Sequence, residues 1–375
     1  MTHITEHKRI HLIGIGGCSM SGLASILKNR GYYVQGSDRA ESPFTERLKE
    51  LGVPVFIGHD AKNIGDCDLI IFSAAIKSDN VERAEAKRRG IPELERSEAL
   101  GQLTEGYESV VGIAGCHGKT TITSMLALIC EQGGPDATVH IGGFVDFLNG
   151  GVRLGAHDMF ITEACEYVES FLTLRPTIAL INNIDNDHLD YYGDMEHIVA
   201  AFKKFAALLP ENGLLIGNTD DFRVRALMAE HTGRKLSYGM KDADYTPANI
   251  NYDDNGCPGF DIMFRGEKLM HIQLRIPGEH SVMNAIAAAA VAREIGADDK
   301  CIVSALNAFR NTRRRFEYYG ERNGVKYYHD YGHHPSEIAA TMKAASNVKH
   351  NKLFCVFQCN SYTRAKTLFL NDVTC

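Results

Sequence analysis

The sequence predicts an α/β protein with three domains: a Rossmann-like first domain, a P-loop ATPase-like central domain and a smaller α/β third domain. Over the first hundred residues, short apolar segments alternate with helix-like segments, as in a parallel sheet covered by helices. A second series of apolar strands begins at Ser109 and includes a glycine-rich phosphate loop. The charged, turn-rich segment NTRRRFEYYGERNG then precedes the last α/β segment. We expect domains at residues 1–104, 105–311 and 312–375.

The individual elements follow from hydrophobic patterning. In the first domain we predict the strands RIHLIG, YYVQGS and DLIIFS and the helices MSGLASILKNR and PFTERLKELG. The central strands are SVVGIAG, MFITEA, TIALINNI and GLLIGN, and the third domain has strands GVKYYHDYG and KLFCVFQ around the helix PSEIAATMKAAS. Compact domains usually take about 100 residues or more. The segment from Arg322 to Cys375 is shorter, so we expect the third domain to be incomplete, through truncation or a frameshift.

Composition excludes several classes of protein. A net charge of −7 provides no broad basic field, so we expect no nucleic-acid partner. No apolar run reaches the roughly 18 residues that span a bilayer, and no secretory segment opens the chain. We therefore expect a cytoplasmic protein that does not bind membranes. The ten cysteines form no CxxC pair, which favours reduced thiols over disulfides or a zinc site.

The strongest chemical signal is the phosphate loop GCHGKTT, between the strand SVVGIAG and a helix starting near Thr120. Glycines let several backbone N–H groups face one phosphate, and the helix N-terminus adds partial positive charge. Lys119 would reach the β- and γ-phosphates, and the Thr120 hydroxyl would bind Mg²⁺. Ile113 stands where the usual motif has its first glycine, so this is a variant loop. The alternative is a glycine-rich turn, which needs no lysine.

Two acidic segments are candidates for binding the metal. Glu163 lies at the end of MFITEA, where parallel sheets place ligand-facing groups. The loop NNIDNDHLDYYG brings together Asp185, Asp187, His188 and Asp190. By itself such a loop could be a solvated turn, but beside a phosphate loop it favours metal or phosphate binding.

A second glycine loop, GIGGCSMSG, joins the first strand to the first helix, and Asp38 ends the second strand. This arrangement resembles a dinucleotide fingerprint. Ser19 occupies the position of the third glycine, so the pattern leaves NAD and other diphosphates open. A tight strand-to-helix turn is the remaining alternative.

Seven segments occur in the order found in Mur ligases, and the chain resembles this family over essentially its whole length. They are GIGGCSMSG with the following SD, GCHGKTT, TEACE, NNIDNDHLDYYGD, IPGEHSVMNA, RRRFE and DYGHHPSEI. DYGHHP is similar to the DYAHHP of the alanine-adding member. The resemblance implies a UDP-sugar-binding first domain, a central ATPase and a Rossmann-like third domain that brings the amino acid. It also implies that the first glycine loop holds UDP diphosphate rather than NAD.

The resemblance assigns expected roles to individual residues. The sugar nucleotide would contact Gly14, Gly16, Gly17, Met20, Ser21, Gly22, Ser37, Asp38 and Ser73. ATP would contact Gly115, His117, Gly118, Lys119, Thr120, Thr121, His280, Asn284, Arg315 and Asp330. The amino acid would contact Tyr331, His333 and Arg364. A capped helix start would equally explain His280 and Asn284, and a solvated basic turn Arg315.

The implied reaction joins L-alanine to UDP-N-acetylmuramate. The sugar carboxylate attacks the γ-phosphate of ATP, and the amine of alanine displaces phosphate from the resulting acyl phosphate. Lys119 would neutralise the γ-phosphate, Thr120 and Glu163 would hold one Mg²⁺, and His188 would bind a second metal. Lys119, Glu163 and His188 are thus the expected catalytic residues, in a monomer or homodimer.

The resemblance weakens towards the end of the chain. FQCNSYTR replaces the family's FQPHRYTR, so Cys359, Asn360 and Ser361 remove two basic side chains of the amino-acid site. We therefore expect nucleotide binding with impaired ligation. Three alternatives remain: a tripeptide-adding Mur ligase, a catalytically impaired nucleotide-binding remnant, and an NAD-dependent oxidoreductase. The last leaves GCHGKTT unexplained.

Overall fold

A computed structural model describes residues 2–310 and 315–358 of the chain. The first part is a five-stranded parallel sheet with strand order β3-β2-β1-β4-β5. Its strands are β1 (Arg9–Ile13), β2 (Tyr33–Asp38), β3 (Val55–Ile57), β4 (Leu69–Phe72) and β5 (Glu93–Glu95). This order confirms the predicted Rossmann-like fold, in which the glycine loop follows the central strand β1.

Helices cover both faces of this N-terminal sheet, and local capping explains where several begin. They are α1 (Cys18–Asn29), α2 (Pro43–Glu50), α3 (Val81–Arg89) and α4 (Arg96–Thr104), with 3₁₀ helices at Ile4–Glu6 and Ala61–Ile64. Ser42 caps α2 through the N–H of Thr45, and Pro43 occupies its first turn. Asn80 caps α3, which ends at the left-handed Gly90.

The central part is a ten-stranded mixed sheet with order β15-β14-β13-β12-β11-β10-β6-β9-β7-β8. Its strands are β6 (Ser109–Ala114), β7 (Ala137–Val145), β8 (Gly150–Arg153), β9 (Ala156–Ala164), β10 (Ile178–Ile181), β11 (Leu214–Asn218), β12 (Arg234–Tyr238), β13 (Tyr245–Tyr252), β14 (Pro258–Phe264) and β15 (Glu267–Gln273). Parallel pairing of β6 with β9 and β10 places their carboxyl ends at one edge. The predicted phosphate and metal loops both leave this edge.

The helices of the central part include one that is almost completely buried. They are α5 (Lys119–Glu131), α6 (Leu189–Tyr192), α7 (Met195–Ala206), α8 (Phe222–Glu230), α9 (Glu279–Glu294) and α10 (Asp299–Ala308), with 3₁₀ helices at Asp146–Leu148 and Tyr167–Thr173. In α9, a run of alanines lets the helix pack closely against α5 and the sheet. Its N-terminus thereby lies next to the phosphate loop.

The N-terminal and central parts share one apolar core. Helix α1 packs against β7 and β8, and a single cluster of buried side chains includes residues of both sheets. Gly22 makes the close approach possible, because a Cβ there would lie 2.9 Å from the His140 ring. The Sγ–H of Cys18 also donates to the Ile141 carbonyl at 3.6 Å.

The last described part contains the hairpin β16 (Glu317–Arg322) and β17 (Val325–His329), followed by α11 (Pro335–Asn347). The predicted strand around GVKYYHDYG and the helix after it are therefore present. The strand predicted at KLFCVFQ is wrong, since residues 352–358 form no strand. No described strand pairs with this segment, and Phe354 and Val356 are exposed. Among the described residues, no helix has the length and hydropathy of a membrane span.

Candidate active site

The phosphate loop at residues 115–121 adopts the strand-loop-helix geometry that its sequence predicts. Gly115 and Gly118 have positive φ angles of 138° and 86°, and a Cβ on Gly118 would collide with Asn182 and Asn284. Helix α5 begins immediately afterwards, and no side chain caps its N-terminus. The Asn183 side chain accepts from the His117 N–H at 2.8 Å and donates to the His117 carbonyl at 3.0 Å. The loop is thus tied to the end of β10.

Lys119 lies within this loop and forms a nearly buried ion pair. Its Nζ is 2.8 Å from Oε2 and 3.0 Å from Oε1 of Glu166, and it also donates to the carbonyls of Gly115 and Cys116. Burial alone would lower the pKa of Lys119, but the negative charge of Glu166 holds it above its ordinary value. The lysine therefore remains an ammonium, as charge neutralisation of a phosphate requires.

Thr120 and Glu163 lie together beside Lys119. The Thr120 hydroxyl donates to Oε2 of Glu163 at 3.1 Å, while Oε1 accepts from the Gly142 N–H at 2.6 Å. Burial raises the pKa of Glu163 above its ordinary value. Hydroxyl and carboxylate oxygens are the donors that Mg²⁺ prefers, so this pair fits the predicted ion.

His188 lies on the neighbouring loop, in the left-handed conformation with φ of 56°. Its Nε2 is 3.7 Å from Oε1 of Glu166 and 3.7 Å from Oδ2 of Asp187. Donor atoms of the three side chains all lie within 4.8 Å of one another, close enough to share a cation. Glu166 thus contacts both Lys119 and the second predicted metal position.

A cavity of about 400 Å³ connects these groups to the other expected nucleotide contacts. The expected ATP, metal and amino-acid residues that line it are His117, Gly118, Lys119, Thr120, Thr121, His188, His280, Asn284, Arg315, Asp330 and His333. His280 lies at the N-terminus of α9, where it is exposed and lines the cavity. The structure therefore brings together residues from the phosphate loop, the His188 loop, α9 and the last described part.

The last part lines one side of the cavity, and polar contacts within it hold its loops together. Arg315 donates to Glu337 at 3.1 Å, and Asp330 accepts from the N–H groups of Phe316 at 2.8 Å and Gly332 at 2.5 Å. Tyr331 is exposed and does not line the cavity. Arg364, the third expected amino-acid contact, lies outside the described residues.

A group of ionisable side chains links α11 to the phosphate loop. Nε2 of His117 is 3.0 Å from Oδ2 of Asp185, and Nδ1 is 3.5 Å from Glu337. Burial alone would lower the pKa of His117, but these two carboxylates raise it to about 9. The ring of His334 lies 4.9 Å from the His117 ring at an interplanar angle of 45°, and the His334 side chain caps α11.

The N-terminal glycine loop forms a tight turn between β1 and α1. Gly14 has a positive φ of 82°, and the Gly16 N–H donates to Oδ2 of Asp38 at 2.8 Å. A Cβ on Gly16 would lie 2.7 Å from the Thr45 side chain, whereas a Cβ on Gly17 would have the Gly14 carbonyl oxygen as its nearest neighbour, at 3.5 Å. Ser73 lies near this turn, where its Oγ accepts from the Ala75 N–H at 3.4 Å.

Four of the expected sugar-nucleotide contacts have buried side chains or close packing instead of an open surface. Met20 and Ser21 are buried in α1, and Gly22 faces His140. Ser37 is also completely buried, and its hydroxyl donates to Glu82 at 2.5 Å. The structure therefore places these residues beneath the loop, where they support its conformation.

Glu82 is the centre of a buried polar network below the glycine loop. Besides Ser37, it accepts from the Asn63 amide at 2.7 Å and lies 3.5 Å from Nε2 of His11. Burial alone would raise the pKa of Glu82, but these neighbours lower it to about 2. Sequence reasoning missed this residue, because its helix reads as a charged, solvated surface.

Several residues of the site itself were also missed. Glu166 was noted only as part of TEACE, and Asn182, Asn183 and Glu337 were given no role. The two asparagines directly follow the buried strand β10, where parallel sheets place ligand-facing groups. Their position could therefore have indicated a role in the site. Glu337 follows the DYGHHP segment, but nothing in the sequence indicates that it contacts His117.

Family models match most of the chain. The Mur ligase family catalytic domain matches residues 9–108, the Mur ligase middle domain residues 113–292 and the Mur ligase glutamate ligase domain residues 314–367. Curated relatives include a UDP-N-acetylmuramate–L-alanine ligase of Clostridium beijerinckii, 45% identical over 99% of this chain and 81% of its own length. The same-named protein of Clostridium botulinum is 44% identical over the same shares.

Solved structures agree with the sequence matches. The UDP-N-acetylmuramate-alanine ligase of Thermotoga maritima has a TM-score of 0.80 at 29% identity, covering 91% of this chain and 78% of its own. A UDP-N-acetylmuramate:L-alanyl-γ-D-glutamyl-meso-diaminopimelate ligase from Neisseria meningitides has a TM-score of 0.73 at 29% identity, covering 82% of this chain and 100% of its own. With the family models, the curated relatives and this fold in agreement, the chain belongs to the Mur ligase family.

Proposed function

We propose that the chain joins L-alanine to UDP-N-acetylmuramate in an ATP-dependent amide-bond-forming reaction of peptidoglycan synthesis. The observation that carries this proposal is the cavity that gathers Lys119, His188, Asn284 and Asp330 from four separate segments. The relatives of 44–45% identity are alanine ligases, which favours this substrate over the tripeptide of the Neisseria protein. Since ATP and UDP-sugars are cytoplasmic nucleotides, we place the reaction in the cytoplasm.

In the first step, the carboxylate of the sugar attacks the γ-phosphorus of ATP, and ADP leaves. Backbone N–H groups at the N-terminus of α5 bind phosphate oxygens, and the Lys119 ammonium offsets their charge. To reach a phosphate, Lys119 must exchange at least one of its contacts to Glu166 or the loop carbonyls. The Glu166 carboxylate keeps the ammonium protonated and positioned until then.

Mg²⁺ would be held by Thr120 and Glu163, whose two oxygens lie 3.1 Å apart. A second ion would be held by His188 together with Glu166 and Asp187. Such ions supply charge stabilisation to transferring phosphate oxygens. The protein holds these donors on three elements: β9 with the residues just after it, the first turn of α5, and the loop after β10.

In the second step, the amine of alanine attacks the acyl carbon, and inorganic phosphate leaves. Tyr331 and His333 precede α11, and we assign the amino acid to this side of the cavity, with Arg364 as a further contact. The UDP diphosphate would instead bind at the N-terminus of α1, which no side chain caps, because the N–H groups of Gly16 and Gly17 already donate to Asp38 and to the Gly14 carbonyl. Asp38 braces the glycine loop rather than contacting an anion, because like charges repel.

The test is steady-state phosphate release by the full chain with UDP-N-acetylmuramate, ATP and Mg²⁺, with and without L-alanine. Release that depends on both alanine and the sugar nucleotide is expected, at a reduced rate because two basic side chains of the amino-acid site are replaced within residues 359–361. Calorimetry on the same sample should show binding of UDP-N-acetylmuramate and ATP-Mg²⁺ and none of NADH. Binding of both nucleotides without turnover would identify an impaired remnant and overturn the catalytic proposal. Turnover only with a tripeptide would identify the other branch of the family.

A further inference from the structure

A second group of potential metal ligands lies at the edge of the ATP cavity, and the proposed reaction places no metal there. It consists of His117, Asp185 and His334, called here the histidine cluster. These residues come from the phosphate loop, the β10 loop and the start of α11, so the cluster joins three separate segments. Their donor atoms all lie within 4.8 Å of one another.

The inner nitrogens of both histidines face one carboxylate oxygen. Oδ2 of Asp185 is 3.0 Å from Nε2 of His117 and 3.6 Å from Nδ1 of His334. Zinc–nitrogen bonds are about 2.0–2.1 Å, so neighbouring ligands of a tetrahedral ion are roughly 3.3 Å apart. The cluster thus needs only small side-chain movements to surround an ion.

The outer nitrogens are anchored in the way that metal-binding histidines require. Nε2–H of His334 donates to the Asn186 carbonyl at 3.0 Å, while its Nδ1 accepts from the Ser336 N–H at 3.3 Å. Nδ1 of His334 therefore carries the lone pair, and an ion bound there would replace its long contact with the Ser336 N–H. Nδ1 of His117 faces the Glu337 carboxylate at 3.5 Å, and Asp185 accepts from the Asn186 N–H at 2.8 Å. Such outer contacts orient ligands and increase their basicity.

We propose that the histidine cluster is a binding site for a borderline divalent transition metal such as Zn²⁺ or Co²⁺. Two imidazoles and one carboxylate favour these ions over Mg²⁺, which prefers oxygen donors. A fourth position would be left for water. The ion would replace the proton that His117 holds between Asp185 and Glu337, and it would fasten α11 to the phosphate loop.

Partial exposure provides an entry path. The side chains of His117 and Asp185 are 18% and 28% exposed, whereas His334 is 4% exposed. The site differs in every ligand from the Glu166–Asp187–His188 group. Metal binding at the cluster does not rest on the proposed ligase activity, so it is measured without substrates.

The experiment is Co²⁺ titration of the full chain in excess Mg²⁺, followed by visible absorption. Four-coordinate Co²⁺ absorbs much more strongly than hydrated Co²⁺. One strong band is expected, and the variant His334→Asn should weaken Co²⁺ affinity at least about tenfold. Asparagine is a good N-cap, so α11 should keep its start. Glu337→Gln should weaken binding less, and the exposed His197→Gln should leave it unchanged.

Three results would overturn the proposal. One is the absence of a strong band, and another is a band that survives His334→Asn with unchanged affinity. The third is a band abolished by His188→Gln but not by His334→Asn, which would place the ion in the other group. Circular dichroism of each variant identifies any loss of binding that comes from unfolding; for such a variant, Asp185→Asn is measured instead and should also weaken binding.

Discussion

The ammonium of Lys119 lies 2.8 Å from the Glu166 carboxylate, inside the loop that would bind the triphosphate of ATP. The acidic partner has a side-chain exposure of 1% and the lysine 14%. This pair links the stability of the site to its chemistry, because Lys119 forms an ion pair with a buried carboxylate and would also bind a phosphate of ATP. The first two predictions separate these roles.

Replacing Lys119 with methionine should abolish ATP-dependent phosphate release. Removing a single donor aimed at developing charge typically lowers the rate by about 10²–10³-fold, and this lysine also offsets ground-state charge. Lys62→Met, at an exposed lysine of the N-terminal part, is the matched control and should retain normal release. Comparable rates for Lys119→Met and the control would contradict the proposed role.

Replacing Glu166 with alanine should destabilise the fold by about 3–5 kcal/mol, because it leaves a nearly buried ammonium without its counter-charge. Glu169→Ala removes the partner of Lys204 in a more exposed pair, and its effect should stay below about 1 kcal/mol. Urea unfolding of both variants measures the difference. Equal urea midpoints for the two variants would show that the Glu166 side chain does not stabilise the fold.

The glycine loop distinguishes packing from ligand binding at two adjacent positions. In Gly16→Ala, the new methyl would press on Thr45 and Asp38, so we expect a loss of about 1–3 kcal/mol in unfolding free energy. Gly17→Ala has room and an ordinary φ of −69°, so its fold should persist. Its methyl should nevertheless lower the affinity for UDP-N-acetylmuramate. Calorimetry that finds unchanged affinity would remove this loop from the diphosphate site.

Glu82 should make stability dependent on acid pH. Its folded pKa of about 2 lies below the ordinary value of 4.5, so its contribution is fully present above pH 4.5 and is lost as the pH falls towards 2. This difference in pKa corresponds to a contribution of about 3 kcal/mol to the free energy of unfolding. The melting temperature of Glu82→Gln should therefore be lower than that of the wild type near neutral pH, with the gap narrowing on acidification.

The control is Glu85→Gln on the same helix, where the side chain is paired with Arg88 at the surface. Its melting temperature should follow the wild type across the range. A constant gap between Glu82→Gln and the wild type at every pH would show that ionisation of Glu82 does not stabilise the fold.

Much of the fold could be predicted from local patterns. Buried strands such as β1, β6 and β10 are short apolar runs in the sequence. The glycine loops that follow β1 and β6 can also be recognised from the sequence alone. The strand predicted at residues 352–358 failed because apolar character alone does not provide a pairing neighbour. Domain limits at 104 and 311 remain predictions.

The candidate site could be predicted only where one segment carries its own signal. Lys119 and Thr120 belong to a recognisable loop, and His188 to an acidic one. The contacts of Glu166 with Lys119, and of Glu337 with His117, join residues 47 and 220 positions apart. Such pairs depend on how separate elements pack, and a single sequence contains no measure of that. Ser37 shows the converse, since a motif position proved to be buried support.

Because α1 packs against β7 and β8 within a shared apolar cluster, the two glycine loops belong to one packed block. Their separation is set by packed side chains, so the sites proposed for the sugar nucleotide and ATP would lie at a fixed spacing. The last part is joined to that block by a small contact of α11 with α9 and by polar contacts that water can replace, among them Glu337 with His117 and His334 with Asn186. In the proposed reaction, movement would therefore occur on the side assigned to the amino acid, while the side assigned to the two nucleotides would keep its arrangement.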